Sequence, residues 1–285
     1  MRLVSFVWNE KSVAGLLSAA QDQIFPLDTV GYSDALSFLA AGEQLWHAAA
    51  SRAKVARREE LIPLASVRLL SPLPRPGKIL CVGLNYRDHA IESKMELPKV
   101  PAVFTKFSNA VTGHGADVVI PEMTKQADYE AEMAVVIGKT ARRVEVKNWQ
   151  EYVFGYTILN DVSARDVQLS TSQWSLGKSF DTFAPIGPAI VSKDEIADPH
   201  ALDIKLSIDG EILQHSNTRE LIFKVPDLIE YLSNIVTLEP GDVISTGTPA
   251  GVGLGRTPQR WLKAGETMTI VVEEIGTLTN PVVAE

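Results

Sequence analysis

Asp203-Ile-Lys-Leu-Ser-Ile-Asp-Gly-Glu-Ile-Leu-Gln214 is the stretch that decides the class of this fold. It reads as two short strands closed by Asp209-Gly210, a pair that accepts the two positive φ angles of a type I′ hairpin turn. Working outward, similar strand signals recur at Lys78 to Val82, Ala102 to Phe107, Met133 to Ile137, Val153 to Leu159, Pro188 to Val191, Asp242 to Ser245 and Thr267 to Glu274. Each is short, rich in β-branched or aromatic residues, and bounded by turn formers. Helical pattern beyond residue 70 is confined to about Tyr86 to Glu96 and Pro226 to Val236, where Pro226 suits a first helical position. Strands outnumber helices and do not alternate with them regularly, so the expected class is α+β, mixed and mostly β.

Upstream the character changes. Ala35 to Ala56 is Ala-rich and helical, and it runs into Lys54-Val-Ala-Arg-Arg-Glu-Glu60, which reads as a solvated helix face. Ser71-Pro-Leu-Pro-Arg-Pro-Gly77 then stops helix and extends the backbone. A boundary at that segment divides the chain into a small N-terminal α/β domain, residues 1–70, and a larger domain, residues 71–285.

The 285 residues carry 27 Lys and Arg against 35 Asp and Glu, a net charge of −8, which opposes adhesion to phosphate backbones or anionic lipid. Nucleic acid is therefore not the expected partner. Asn9, Glu10 and Lys11 interrupt the first apolar stretch, and no segment approaches the roughly 18 apolar residues of a membrane helix. The single cysteine, Cys81, cannot form an internal disulfide, which fits a reducing compartment, and the cytoplasm is the expectation.

Four segments carry polar groups suited to chemistry. In Asp128-Tyr-Glu-Ala-Glu-Met133, strand geometry places Glu130 and Glu132 on one face, where their repulsion calls for water, a basic partner or a hard cation such as Mg²⁺. Taken alone, the pair is read more readily as a solvated strand face. In Asn160-Asp-Val-Ser-Ala-Arg-Asp-Val-Gln168, Asp161 stands at a strand exit, and the residues by themselves favour a turn or helix cap there. Gly83-Leu-Asn-Tyr-Arg-Asp-His-Ala-Ile-Glu92 puts His89 and Glu92 three apart on a helix, the spacing of a general-base pair or of a weak surface contact. The last set joins Gly177-Lys178-Ser179 with Gly241 to Gly253. Ser172 occupies the position where a phosphate loop needs glycine, and Gly251, Gly253 and Gly255 lead into no amphipathic helix, so neither nucleotide signature holds. What remains is a tight turn able to present Thr248 and backbone N–H groups to an anion, or a plain strand-to-loop turn. The chain has no G-x-S-x-G, no H-E-x-x-H and no Cys-rich metal pattern.

In combination and in this order, E-x-E, N-D-x-S-A-R-D-x-Q, G-K-S-F-D and T-G-T-P resemble the fumarylacetoacetate hydrolase superfamily from about Arg75 to the C-terminus. Gln173 to Pro188 is most similar to the branch called fumarylacetoacetate hydrolase domain-containing protein 2. The resemblance implies a twisted, mostly β roll and a homodimer. It implies that Glu130, Glu132 and Asp161 hold Mg²⁺ or Mn²⁺. His89 and Glu92 match the dyad on a segment that orders over the substrate, Lys178 is expected to act beside them, and Arg87, Gln168 and Thr248 are expected to contact substrate. The implied substrate is a 2-oxo acid. Cleavage of a carbon–carbon bond in a 2,4-dioxo acid through a metal-stabilised enolate is the expected reaction, with the dyad activating water. Decarboxylation of oxaloacetate uses the same enolate, isomerisation or decarboxylation of an unsaturated dicarboxylate would use the dyad as a proton shuttle, and a non-catalytic binding module keeping the fold is the reading outside enzymology. The variable N-terminal segment and the lid tip, Ser93 to Lys99, are expected to shape the pocket for the rest of the substrate.

Overall fold

The computed structural model describes residues 1–92 and 96–285, so part of the expected lid tip, residues 93–95, lies outside the described residues. Two sheets organise the rest. The larger has 12 strands, and its central path runs Arg2–Trp8, Ala184–Ser192, Val153–Asn160, Ala131–Ile137, Val243–Ser245, Ile79–Gly83, Ala102–Lys106. The smaller has five strands in the order Glu211–Asn217, Asp203–Ile208, Thr267–Val272, Gly276–Ala284, Val118–Ile120. The architecture is α+β and strand-dominated, with open sheets.

Ala131–Ile137 is buried at every position, because each of its faces meets apolar cover. Met133, Val135 and Ile137 join a core with Ile204, Leu206, Met268 and Ile270 of the smaller sheet and with Leu228, Ile229 and Leu232 of helix Val225–Ile235. Ala134 and Val136 face the other way, into a core built with Phe38 and Leu39 of helix Ala35–Ala40 and Trp46 of helix Glu43–Lys54. Trp46 and Phe38 both meet Phe154 edge-on. The middle of the large sheet is thus clamped between two apolar layers, which leaves little freedom to the strand ends that carry polar groups.

The expected hairpin is present, with Asp209 at φ 49° and Gly210 at φ 87°. Three N-terminal strands that the sequence did not disclose, Arg2–Trp8, Lys11–Leu17 and Gln23–Pro26, extend the large sheet. Their first turn, Asn9-Glu10, takes positive φ at both residues without the glycine that normally marks such a turn. Arg2–Trp8 pairs with Ala184–Ser192, so the sheet is continuous across the proline-rich segment. Gly155 marks a tight crossing: a Cβ there would lie 2.0 Å from the Val191 carbonyl oxygen of the neighbouring strand. Gly155→Ala should therefore destabilise the protein by about 1–3 kcal/mol, the usual cost of overpacking. Chemical denaturation checks this, with Gly210→Ala, which has open space around its Cβ and only backbone strain to bear, as the milder comparison.

Candidate metal and proton-transfer site

Antiparallel register brings the acids together. Ala131 lies opposite Asn160 and Glu132 opposite Leu159, and one step further the Asp161 N–H donates to the Glu130 carbonyl at 2.9 Å. Two carboxylates thus leave one strand end and a third leaves its neighbour. Each of Glu130, Glu132 and Asp161 offers an oxygen within 4.8 Å of the others, and all three residues are buried. Asp161 caps no helix: the short helix Arg165–Gln168 begins after Ala164, and Asp161 turns inward. The cap and solvated-face readings open to the sequence are therefore set aside by burial.

Three cations are buried with these acids. Lys178 Nζ donates to Glu130 Oε2 at 2.9 Å and to Asp161 Oδ2 at 2.8 Å. Lys106 Nζ, fully buried at the end of Ala102–Lys106, donates to Asp161 Oδ1 at 2.6 Å and to the Val162 carbonyl at 2.9 Å. Arg165 donates to Glu130 Oε1, to Gln168 Oε1 at 3.0 Å and, through Nε, to Asp128 Oδ2 at 2.9 Å. Among the described residues Glu132 has no basic partner; Ser245 Oγ and the Gly247 N–H, at 2.8 Å, donate to its Oε2. Gly247 can do this at φ 101° with Asn85 packed so close that a Cβ would lie 2.8 Å from the Asn85 Cβ, which accounts for the glycine of T-G-T-P.

Charge state follows from this inventory. Burial opposes the Glu130 charge, but Arg165 and Lys178 outweigh it and hold the carboxyl far below the ordinary range. Burial and the neighbouring Asp161 and Glu130 carboxylates push Glu132 well above it, beyond what Ser245 and Gly247 restore. Burial also opposes the charge of Lys178, yet Asp161 and Glu130 raise its pKa, whereas burial pulls Lys106 down despite Asp161. Four carboxyl groups, counting Asp128, face three buried cations, and Glu132 is the acid left without a cation among the described residues.

His89 and Glu92 lie on helix Arg87–Glu92 at the edge of this cluster, with His89 Nδ1 3.1 Å from Glu92 Oε2. Glu92 Oε1 accepts the Gly251 N–H at 3.0 Å; burial works against its charge, but His89 and this N–H keep its pKa below the ordinary value. His89 is near enough for its charge to bear on Glu130. Gln168 is buried beside Arg165. Thr248 is buried too, but its hydroxyl donates to the Ala131 carbonyl at 3.0 Å and accepts from Gln214 Nε2 at 2.9 Å, so here it braces the glutamate strand. Arg87 stands apart: its guanidinium is exposed and donates to the Leu221 carbonyl at 3.3 Å.

The donor set fits a hard divalent ion. Buried carboxylate oxygens gathered at this spacing suit Mg²⁺ or Mn²⁺, and no soft or imidazole donor is among the three. Residues 78–283 match the family model of the fumarylacetoacetate (FAA) hydrolase C-terminal domain. The chain belongs to the fumarylacetoacetate hydrolase family. A rat relative named oxaloacetate tautomerase Fahd2a, mitochondrial, is 44% identical, covering 99% of this chain and 92% of that protein. Oxaloacetate tautomerase YisK of Bacillus subtilis (strain 168) is 43% identical, covering 93% and 91% respectively. Among solved structures, the maleylpyruvate hydrolase of Sphingobium sp. SYK-6 in complex with manganese(II) and pyruvate superposes with a TM-score of 0.83 at 31% identity, covering 100% of this chain and 99% of the other.

As a fumarylacetoacetate hydrolase family member, the chain carries a buried three-carboxylate cluster that could hold a divalent metal ion. Sequence reasoning missed Lys106, Arg165, Asp128, Gln214 and Ser245. Arg165 and Asp128 stood within motifs already singled out, and Lys106 was a lone cation at the end of an apolar strand. None of the five signals its inward direction locally. Among the described residues no helix is long and apolar enough to cross a membrane.

Two outcomes follow. Glu132, whose pKa its surroundings raise, must be ionised to ligate an ion, so Mg²⁺ or Mn²⁺ binding should release protons and tighten as pH rises. Calorimetry in buffers of different ionisation enthalpy measures this. Because the folded-state pKa of Glu132 is raised, its contribution to the stability of the metal-free protein is complete below the ordinary glutamate range. That contribution is lost as pH climbs through the raised value. Separately, Lys106→Met leaves one Asp161 oxygen buried against the Val162 carbonyl without its cation, and a loss of about 3–5 kcal/mol is expected in denaturant titrations of the metal-free protein.

Proposed function

We propose that this protein interconverts the keto and enol forms of a short 2-oxo dicarboxylic acid of the oxaloacetate type, using Mg²⁺ or Mn²⁺ held by Glu130, Glu132 and Asp161. The observation that carries the reading is a buried three-carboxylate cluster ringed by Lys106, Lys178 and Arg165, with an imidazole–carboxylate pair at its edge. The ion, when bound, supplies Lewis acidity at the 2-oxo group, which acidifies the adjacent C–H. The charge balance supports an anionic substrate: with all four carboxyls ionised, as ligation requires of Glu132, three cations leave one negative charge, and a divalent ion converts that to one positive.

The remaining work belongs to the chain. Glu92 accepts the Nδ1–H of His89 and so leaves Nε2 as the free end of the ring, able to take a proton from the substrate carbon and return it. The Gly251 N–H keeps Glu92 ionised and oriented, and positioned acid–base catalysis of this kind contributes about 10²–10⁴ in rate. Lys178 and Gln168 are the buried polar groups beside the acids that can hold the substrate. The names of the rat and B. subtilis relatives support tautomerisation. The maleylpyruvate hydrolase neighbour supports a second reading on the same site, hydrolysis of a carbon–carbon bond in a 2,4-dioxo acid, with His89 activating water. Residence in a reducing compartment accompanies either reading, supported by the single buried Cys81.

The test follows enol absorbance and pyruvate release in parallel, on oxaloacetate and on a panel of acylpyruvates. Loss of the enol signal without pyruvate should be accelerated, abolished by chelator and restored by Mg²⁺ or Mn²⁺. His89→Ala should lower kcat about 10²–10⁴-fold with metal affinity unchanged. Metal-dependent pyruvate release from acylpyruvates would select hydrolysis instead, and turnover indifferent to chelator would defeat both.

A further inference from the structure

Asp128 is absent from the roles assigned so far, yet it is fully buried and accepts four hydrogen bonds. Its Oδ1 takes the backbone N–H of Tyr129 at 2.8 Å and of Gly253 at 2.7 Å. Its Oδ2 takes the N–H of Leu254 at 3.0 Å and Nε of Arg165 at 2.9 Å. The same guanidinium then reaches Glu130 with one terminal nitrogen and Gln168 with the other. On the loop side, two residues before Gly253, the Gly251 N–H holds Glu92, and Ala250 N–H lies 3.4 Å from Asp88 Oδ1.

The glycine-rich turn therefore does present its N–H groups to anions, and those anions are the protein's own. Its fit is close: a Cβ on Gly253 would fall 1.9 Å from the Arg260 carbonyl oxygen and 2.6 Å from Asp128 Oδ1, and one on Gly255 would fall 2.7 Å from the Glu92 carboxyl carbon. The loop cannot shift without disturbing one carboxylate or the other. The Tyr129 hydroxyl, donating to the Gly251 carbonyl at 3.1 Å, ties it again to the residue after Asp128.

We propose that Asp128 is a positioning residue that registers the two halves of the site. Through Arg165 it sets the outer oxygen of Glu130, and through the 251–254 loop it sets Glu92 and hence His89. This rests on the metal and proton-transfer roles proposed above. It adds that those roles are aligned by one buried carboxylate that touches neither ion nor substrate. Partners of ligand side chains commonly change metal affinity or activity by 10–100-fold when removed, which sets the scale expected here.

Asp128→Asn keeps the shape but can no longer accept all four bonds, since its amide nitrogen only donates. Metal affinity, kcat and KM, and amide hydrogen exchange are measured on the full chain. The expected result is a 10–100-fold fall in kcat, weaker Mn²⁺ binding, and faster exchange at residues 251–254 together with helix 87–92. Arg165→Gln cuts the guanidinium's bonds to Glu130, Gln168 and Asp128 but leaves the three loop and backbone N–H bonds to Asp128, so it should weaken Mn²⁺ binding while leaving exchange in the loop and helix unchanged; this variant also serves if Asp128→Asn does not fold. Full activity in Asp128→Asn while His89→Ala is inactive would overturn the positioning role and leave the proposed function standing. Activity retained in both would instead strike at the proposed function. Faster exchange in the loop with helix 87–92 unaffected would also overturn the coupling.

Discussion

Four carboxylates packed away from water repel one another and lose hydration, and the structure around them is organised to hold that arrangement. Burying a charge without a partner is among the costliest things a fold can do. Here Lys106, Lys178 and Arg165 each bridge to at least one acid, and Arg165 and Lys178 bridge to two. The residue left over is Glu132, which hydroxyl and backbone donors hold in place but do not neutralise. With Glu132 ionised the site is one positive charge short of balance, which suits a divalent ion, and an ion that overshoots by one charge readies it in turn for an anion. Metal affinity and substrate charge thus have a common origin in the count of buried groups.

Holding that count at fixed geometry requires strand ends that do not move. The acids sit where Ala131–Ile137 and Val153–Asn160 stop pairing, the middle of both strands being buried on each face. Close approaches at Gly155, Gly177 and Gly247 bring backbones nearer than any side chain would permit. Gly177 lies against the Gln168 backbone, which draws the loop bearing Lys178 onto the cluster. By contrast the His89–Glu92 pair is on the helix Arg87–Glu92, and its orientation comes from outside, from the glycine-rich loop. The proposed ion-binding half is embedded in the core and the proposed proton-transferring half rests against it, a division that suits a site which must admit substrate.

Much of this was legible in the linear order. The hairpin at 203–214, the strands around it and both main helices were readable from local pattern, because turn chemistry and residue shape act over a few positions. The N-terminal strands were not, since Asn9-Glu10 makes its turn without glycine and the first strand joins the larger sheet through a partner about 190 residues away, as Arg2 does at Val191. Likewise the motifs marked Glu130, Glu132, Asp161, His89 and Lys178, but Asp161 taken alone favoured a cap, and Lys106 attracted no notice.

The sequence by itself determined which residue types were available and at what spacing: an acid pair two apart on a strand, an acid at a strand exit, an imidazole and carboxylate three apart on a helix. Those are local facts, governed by backbone period. Only the tertiary structure decided that the three acids face inward together, that Lys106 and Arg165 accompany them, and that the loop N–H groups serve Asp128 and Glu92. Burial and charge compensation arise between segments far apart in the chain, and no local pattern contains them.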